Sequence, residues 1–188
     1  MDAFSYLSVL ISIILGLGVA HLLGGVGRII ERRDRVIPYW PTFVWAAVLF
    51  IIHVQTWWVM FGLRAYQGWT FGGFLVVLVQ PSLLYLLAVL VFPPGIGESA
   101  QVDMRENYFR QVPWFFGLAV LLLVQSIGRD LVLNGAWPSA VNLAAHVVFF
   151  VLWAGAALTR REAYHALVAV CTTVLFAVYV GLLFARLR

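Results

Sequence analysis

Residues 3–27 read AFSYLSVLISIILGLGVAHLLGGVG, a run of 25 positions without Asp, Glu, Lys or Arg. An α-helix rises about 1.5 Å per residue, so roughly 20 mostly apolar residues cross the hydrocarbon core of a bilayer. No positively charged region precedes the run, and its length exceeds the apolar core of a secretory signal peptide. We therefore expect it to remain as a transmembrane helix.

The same pattern recurs along the whole chain. Of its 188 residues, 63% are hydrophobic and 11% are charged, whereas soluble domains are roughly 45–50% apolar and about 25% charged. This composition argues against a soluble fold, a disordered chain and a nucleic-acid-binding module. It predicts an all-α polytopic integral membrane protein, a single transmembrane domain over residues 1–188 surrounded by the lipid bilayer. The six expected helices lie near residues 3–27, 39–63, 70–93, 113–133, 138–158 and 163–185.

Prolines mark the helix boundaries in this prediction. Pro41, Pro113 and Pro138 each fall in the first turn of a predicted helix, where the missing N–H has no intrahelical partner to lose. Pro81 instead lies in the middle of the third helix. It should kink that helix and leave a backbone carbonyl free.

The arginines predict an orientation in the membrane. Eight of the twelve lie in the connections 28–35, 94–112 and 159–162, which should share one side, and four lie elsewhere. Because positively charged connections stay in the cytoplasm, both termini are predicted outside, in a bacterial inner or plasma membrane. Segment 96–111 mixes apolar and charged residues, which predicts a short helix on the cytoplasmic surface.

The absence of lysine and the presence of only one cysteine exclude several kinds of chemistry. The chain has no lysine, which excludes a Schiff base and a P-loop, and one cysteine, Cys171, which excludes an intramolecular disulfide. No nucleophile motif accompanies Asp130, so the sequence favours a non-enzymatic function. No metal site is expected, because the intramembrane histidines lack a third ligand nearby.

The two halves of the chain share landmarks in the same order. Gly27-Arg28, Trp40-Pro41 and Ala65-Tyr66-Gln67 correspond to Gly128-Arg129, Trp137-Pro138 and Ala163-Tyr164-His165. With three helices in each half, the second half would be inverted in the membrane, an arrangement common in transporters. Gly, Arg, Trp and Pro also recur at helix ends without any repeat, so both interpretations stay open.

Neutral polar side chains lie inside the predicted helices, where they are costly and mark functional sites. Helix rise places His53 and His146 at similar heights, and the pairs Asn142/His146 and Gln125/Arg129 each share a helix face. The alternative is that these residues only join helices by hydrogen bonds. The predicted substrate path comprises His53, Gln55, Gln80, Gln125, Arg129, Asn142 and His146.

Helix one carries small residues at spacings of three or four, which lets another helix approach closely, within the chain or in a homo-oligomer. The predicted packing face comprises Ser5, Ser8, Ser12, Gly16, Ala20, Gly24 and Gly27.

These features predict a small membrane channel or carrier for an ion or small neutral solute. The alternative is a non-transporting scaffold or sensor subunit that acts through helix–helix contacts. A third possibility is a haem b electron-transfer protein with histidine ligands, for which His53 and His146 are better matched in height than His21 and His53. No other cofactor is expected.

Overall fold

The computed structural model of the chain describes residues 3–96 and 101–183. Across these ranges it contains six helices that are long and apolar enough to cross a membrane, as predicted. The helices are α1 (Ala3–Glu31), α2 (Trp40–Met60), α3 (Phe71–Val91), α4 (Met104–Asn134), α5 (Ala140–Leu158) and α6 (Glu162–Leu183). A 3₁₀ turn, Phe61–Ala65, follows α2, and two short strands are β1 (Val36–Ile37) and β2 (Val102–Asp103).

Polar caps, a proline and a glycine define several of the helix ends. Pro41 lies in the first turn of α2, and the hydroxyls of Thr70 and Ser139 accept backbone N–H groups at the starts of α3 and α5. Gly135 ends α4 in the left-handed conformation, with φ of 64°. Pro81 lies inside α3 as predicted, whereas Pro138 precedes the cap of α5 rather than lying in its first turn.

The start of α4 differs from the prediction. The helix begins at Met104 instead of near residue 113, so residues 104–111 form its first turns and are not a separate surface helix. The Asp103 carboxylate accepts the N–H groups of Arg105 and Glu106 and thereby caps the helix. Pro113 is consequently in the helix interior, where it was predicted in the first turn.

The three arginine-rich connections meet at one end of the helix bundle. Strands β1 and β2 pair in parallel, with Val36 opposite Val102, which joins the connection after α1 to the one before α4. Arg105 forms an ion pair with Glu162 at 2.9 Å, which joins the starts of α4 and α6. Residues 97–100, the predicted end of helix six at 184–185, and Arg186 and Arg188 lie outside the described residues.

The packing of the two halves is not alike. Helix α1 packs mainly against α3, whereas its counterpart in the proposed repeat, α4, has its backbone closest to α3 and α5 and meets α6 through longer side chains such as Arg105 and Tyr108. Helix α6 lies against α2 and α5. The inverted repeat therefore remains a prediction.

Candidate functional site

A cavity of about 400 Å³ lies among the helices, in the half of the bundle away from the arginine-rich connections. The last turns of α2, α4 and α6 and the first turns of α5 surround it, together with the Pro81 region of α3. Its volume falls in the range of small-molecule sites in proteins. Its polar lining residues are Gln55, Thr56, Gln80, Ser126, Arg129, Asp130, Asn134, Asn142, His146 and Tyr179.

Five of the seven predicted path residues line this cavity. They are Gln55, Gln80, Arg129, Asn142 and His146. The other two, His53 and Gln125, do not line it. Sequence reasoning had not placed Asp130 or Tyr179 in the site, although each lies a few residues from the end of its predicted helix.

Arg129 forms the centre of a polar network on the cavity wall. Its Nε and Nη2 donate to one Asp130 carboxylate oxygen at 3.2 and 3.0 Å, and its Nη1 donates to the side-chain oxygen of Gln80. The Gln80 amide in turn lies 3.5 Å from the Thr56 hydroxyl. The Arg129 and Asp130 side chains are 20% and 19% exposed, so the two opposite charges neutralise each other in a partly buried position on the cavity wall.

Asn142 and His146 form the facing part of the wall, one helical turn apart on α5. His146 Nδ1 lies 2.8 Å from the Asn142 carbonyl oxygen, which can only accept, so Nδ1 carries the proton in the neutral ring. Nε2 is then the acceptor of that ring. The Tyr179 hydroxyl donates to the Asn142 side chain at 2.9 Å and links α6 to α5.

His53 has a packing role. Its side chain is 1% exposed, and Nδ1 donates to the Leu49 carbonyl at 2.7 Å. The rest of the ring lies against the backbone of Gly18 in α1, so closely that a Cβ on residue 18 would overlap Nε2. A haem iron bound to Nε2 would need the space that α1 occupies, so His53 does not fit the predicted haem ligand.

Gln125 also joins two helices. Its side-chain amide donates to the Val76 carbonyl at 2.8 Å and so joins α4 to α3. Gln125 thus forms a hydrogen bond between helices of the kind that the alternative interpretation describes, whereas His53 bonds within α2 and packs against α1.

The closed side of the cavity is aromatic. Phe149, Trp153, Phe176 and Tyr179 line the cavity with their rings in mutual contact. Behind Trp153, a buried aromatic cluster fills the arginine-rich half of the bundle. We define this cluster as Tyr39, Trp45, Tyr108, Phe109, Phe115, Phe116 and His165.

His165 is hydrogen-bonded at both ring nitrogens within this part of the bundle. It is fully buried, its Nε2 donates to the Thr159 carbonyl at 2.9 Å, and its Nδ1 accepts from the Tyr108 hydroxyl at 3.1 Å. Burial, with the charge of Glu162, raises the pKa of the nearby Tyr39 hydroxyl. Sequence reasoning used His165 only as a repeat landmark and gave no signal of this role.

Two glycines of the predicted small-residue face of α1 have no other part of the chain against them. A Cβ added to Gly16 or Gly27 would meet no other atom within 4 Å. The close approaches occur at Gly18, against His53, and at Gly25, against Phe92. These two glycines lie seven residues apart on the opposite face, so the closest approaches of α1 to other helices occur away from the predicted face.

The remaining chemistry of the described residues is limited. In residues 3–96 and 101–183, no group of three or more His, Cys, Asp or Glu side chains could hold a metal ion. Comparison with family models, curated proteins and solved structures finds no match for this chain.

Proposed function

We propose that the protein is a membrane carrier for a small solute and that the cavity is its solute-binding site. The observation that carries the proposal is the contrast between an apolar exterior and a cavity of about 400 Å³ in which ten polar side chains meet. Buried polar groups without a role are costly among helices that are apolar elsewhere. A cavity lined by hydrogen-bonding side chains accommodates water and a solute.

A carrier fits better than an open channel. The aromatic cluster occupies the half of the bundle beyond Trp153, and Phe116 and His165 in it are fully buried. A solute in the cavity would need a rearrangement of these side chains to cross. Alternating access to a site near the middle of the protein is the usual solution in carriers.

The orientation follows from the arginines. The end of the bundle with β1, β2 and the start of α6 faces the cytoplasm under the positive-inside rule, in a bacterial inner or plasma membrane. The cavity then lies in the outer half, and both termini are outside. The inverted repeat would relate the two halves of such a carrier.

A flux experiment on reconstituted protein tests the proposal. Proteoliposomes are assayed with sodium, potassium, chloride, urea, glycerol and a mixture of neutral heterocycles. We expect one class of solute to move faster than in empty liposomes. Ser126→Phe, which fills the cavity, should reduce that flux to the background, and Val124→Phe, whose side chain is exposed on the same helix, should not.

The matched pair His146→Ala and Val147→Ala repeats the comparison on α5, because His146 lines the cavity and Val147 is 57% exposed. Background flux of every solute with the wild-type protein, or equal flux with Ser126→Phe, would contradict a carrier that uses this cavity.

A scaffold or sensor subunit is the second candidate, favoured by the unpacked small-residue face of α1. Such a face fits a second helix, and a homo-oligomer through α1 is the simplest case. Gly16→Leu should dissociate that oligomer in detergent, as measured by light scattering. An unchanged mass would exclude α1 as the oligomer interface.

A further inference from the structure

The charged groups of the cavity restrict the solute that it accepts. Arg129 and Asp130 are the only charged residues among the described lining residues, and they pair with each other. With the His146 ring neutral, the lining therefore carries no net charge. A solute with a single charge of either sign would leave water without meeting an unpaired opposite charge, which is unfavourable.

Arg129 is also poorly placed to bind a carboxylate. Its Nε and Nη2 form one of the two edges that bind carboxylates in two-point contacts, and Asp130 occupies that edge. Its Nη1 donates to Gln80. An anionic solute would meet a guanidinium whose charge Asp130 already compensates and which has only two of its five N–H groups left to donate.

The rest of the lining suits a flat molecule with an amide-like edge. Phe149, Trp153, Phe176 and Tyr179 provide rings on which a planar group can stack. His146 supplies an acceptor through Nε2, and the Asn142 amide, whose oxygen already accepts from Tyr179, supplies a donor. A donor and an acceptor close together match the two polar atoms of a carboxamide or lactam.

We propose that the cavity binds uncharged planar solutes with a carboxamide-like edge, and that the Arg129–Asp130 pair sets this preference for zero charge. This inference rests on the proposed function, because it takes the cavity as a solute site. It adds the chemical class of the solute and names the two residues that reject ions.

Three probes of nearly equal shape isolate the effect of charge. Benzamide is neutral, benzamidinium is a cation and benzoate is an anion, and all three present a ring and a planar three-atom edge. Their binding to the purified full-length protein in nanodiscs is measured by isothermal calorimetry. We expect benzamide to bind about tenfold or more tightly than either ion.

Neutral substitutions of Arg129 and Asp130 should change the order of the three affinities in a predictable way. Asp130→Asn leaves the arginine charge uncompensated and should shift the preference toward benzoate, and Arg129→Gln should shift it toward benzamidinium. The double variant restores zero net charge and should return the preference to benzamide. A purely structural role of the pair would weaken all three probes together and would not reverse their order.

The outcomes separate this inference from the proposed function. Binding of benzamide with the expected order, in a protein that moves no solute across liposomes, would support the inference and contradict the carrier. An equal or stronger affinity of the wild-type protein for either ion would overturn the inference, whatever the flux. So would the absence of binding of all three probes, or an order that the single variants do not change.

Discussion

The two halves of the bundle solve the problem of polar groups inside an apolar helix assembly in different ways. In the arginine-rich half, His165 has both ring nitrogens bonded within the protein, and aromatic rings fill the space around it. In the other half, His146 has one nitrogen bonded and lines a cavity of about 400 Å³. The same residue type is a packing element in one half and a candidate ligand in the other. What differs is the completeness of its hydrogen bonding and the space around it.

The largest expected effect is on the free energy of unfolding, and it tests whether the half with the aromatic cluster is packed more closely than the half with the cavity. Phe116 is fully buried in it, and Phe176 lines the cavity with partial exposure. Phe116→Ala should lower the free energy of unfolding by about 3–5 kcal/mol, because close-packed neighbours cannot fill the space of the lost ring. Phe176→Ala should cost less than half as much. Unfolding in mixed detergent micelles measures both, and equal losses would remove the distinction between the halves.

A smaller effect is expected at the contact between α1 and α2. A Cβ at Gly18 would collide with His53, which is held by Leu49, so Gly18→Ala should destabilise the protein by about 1–3 kcal/mol. Gly16→Ala, two residues away, meets open space and should be neutral or slightly stabilising through its higher helix propensity. The same unfolding assay applies. A reversed order would show that the predicted small-residue face, and not Gly18, packs inside the chain.

The smallest effect concerns a single hydrogen bond of the cluster. Tyr108→Phe removes the hydroxyl that donates to His165 and should cost about 1 kcal/mol in the unfolding assay. Tyr179→Phe removes the hydroxyl that donates to Asn142. Both residues line the cavity, so water can replace the lost partner. We expect no measurable loss of stability there. A larger loss at Tyr179 than at Tyr108 would contradict a solvated cavity.

The sequence predicted the helices well because the absence of charge over 20 or more residues is a strong signal. It failed at the start of α4, where Pro113 suggested a boundary although Asp103, with Glu106 three residues later, marks a capped start. Only part of the site could be predicted, and the reason is geometric. Helix rise gives the height of a residue such as His53, but only the packing of neighbouring helices decides which side of the helix faces a cavity.

The same limit applies to α1. The spacing of small residues identified one face, and the sequence alone could not show that Gly18 and Gly25, on the opposite face, contact α2 and the end of α3. The pairing of Arg129 with Asp130 was also missed as a functional feature. Adjacent residues on a helix point in different directions, so their position in the sequence does not predict a contact. Here the Arg129 guanidinium donates to both Asp130 and Gln80.

Thiol accessibility tests most directly the claim that one half of the bundle is an open polar cavity and the other is closed. In a Cys171→Ser background, Ser126→Cys and Ala119→Cys place a single thiol on the same face of α4, two turns apart. Ser126 lines the cavity, and Ala119 is 3% exposed. With a small water-soluble maleimide in nanodiscs, we expect residue 126 to react within about tenfold of the rate of a loop thiol at Ala136→Cys, an exposed position between α4 and α5, and residue 119 to stay unmodified. Equal protection of both thiols would contradict the cavity, and equal reaction of both would contradict the closed aromatic half.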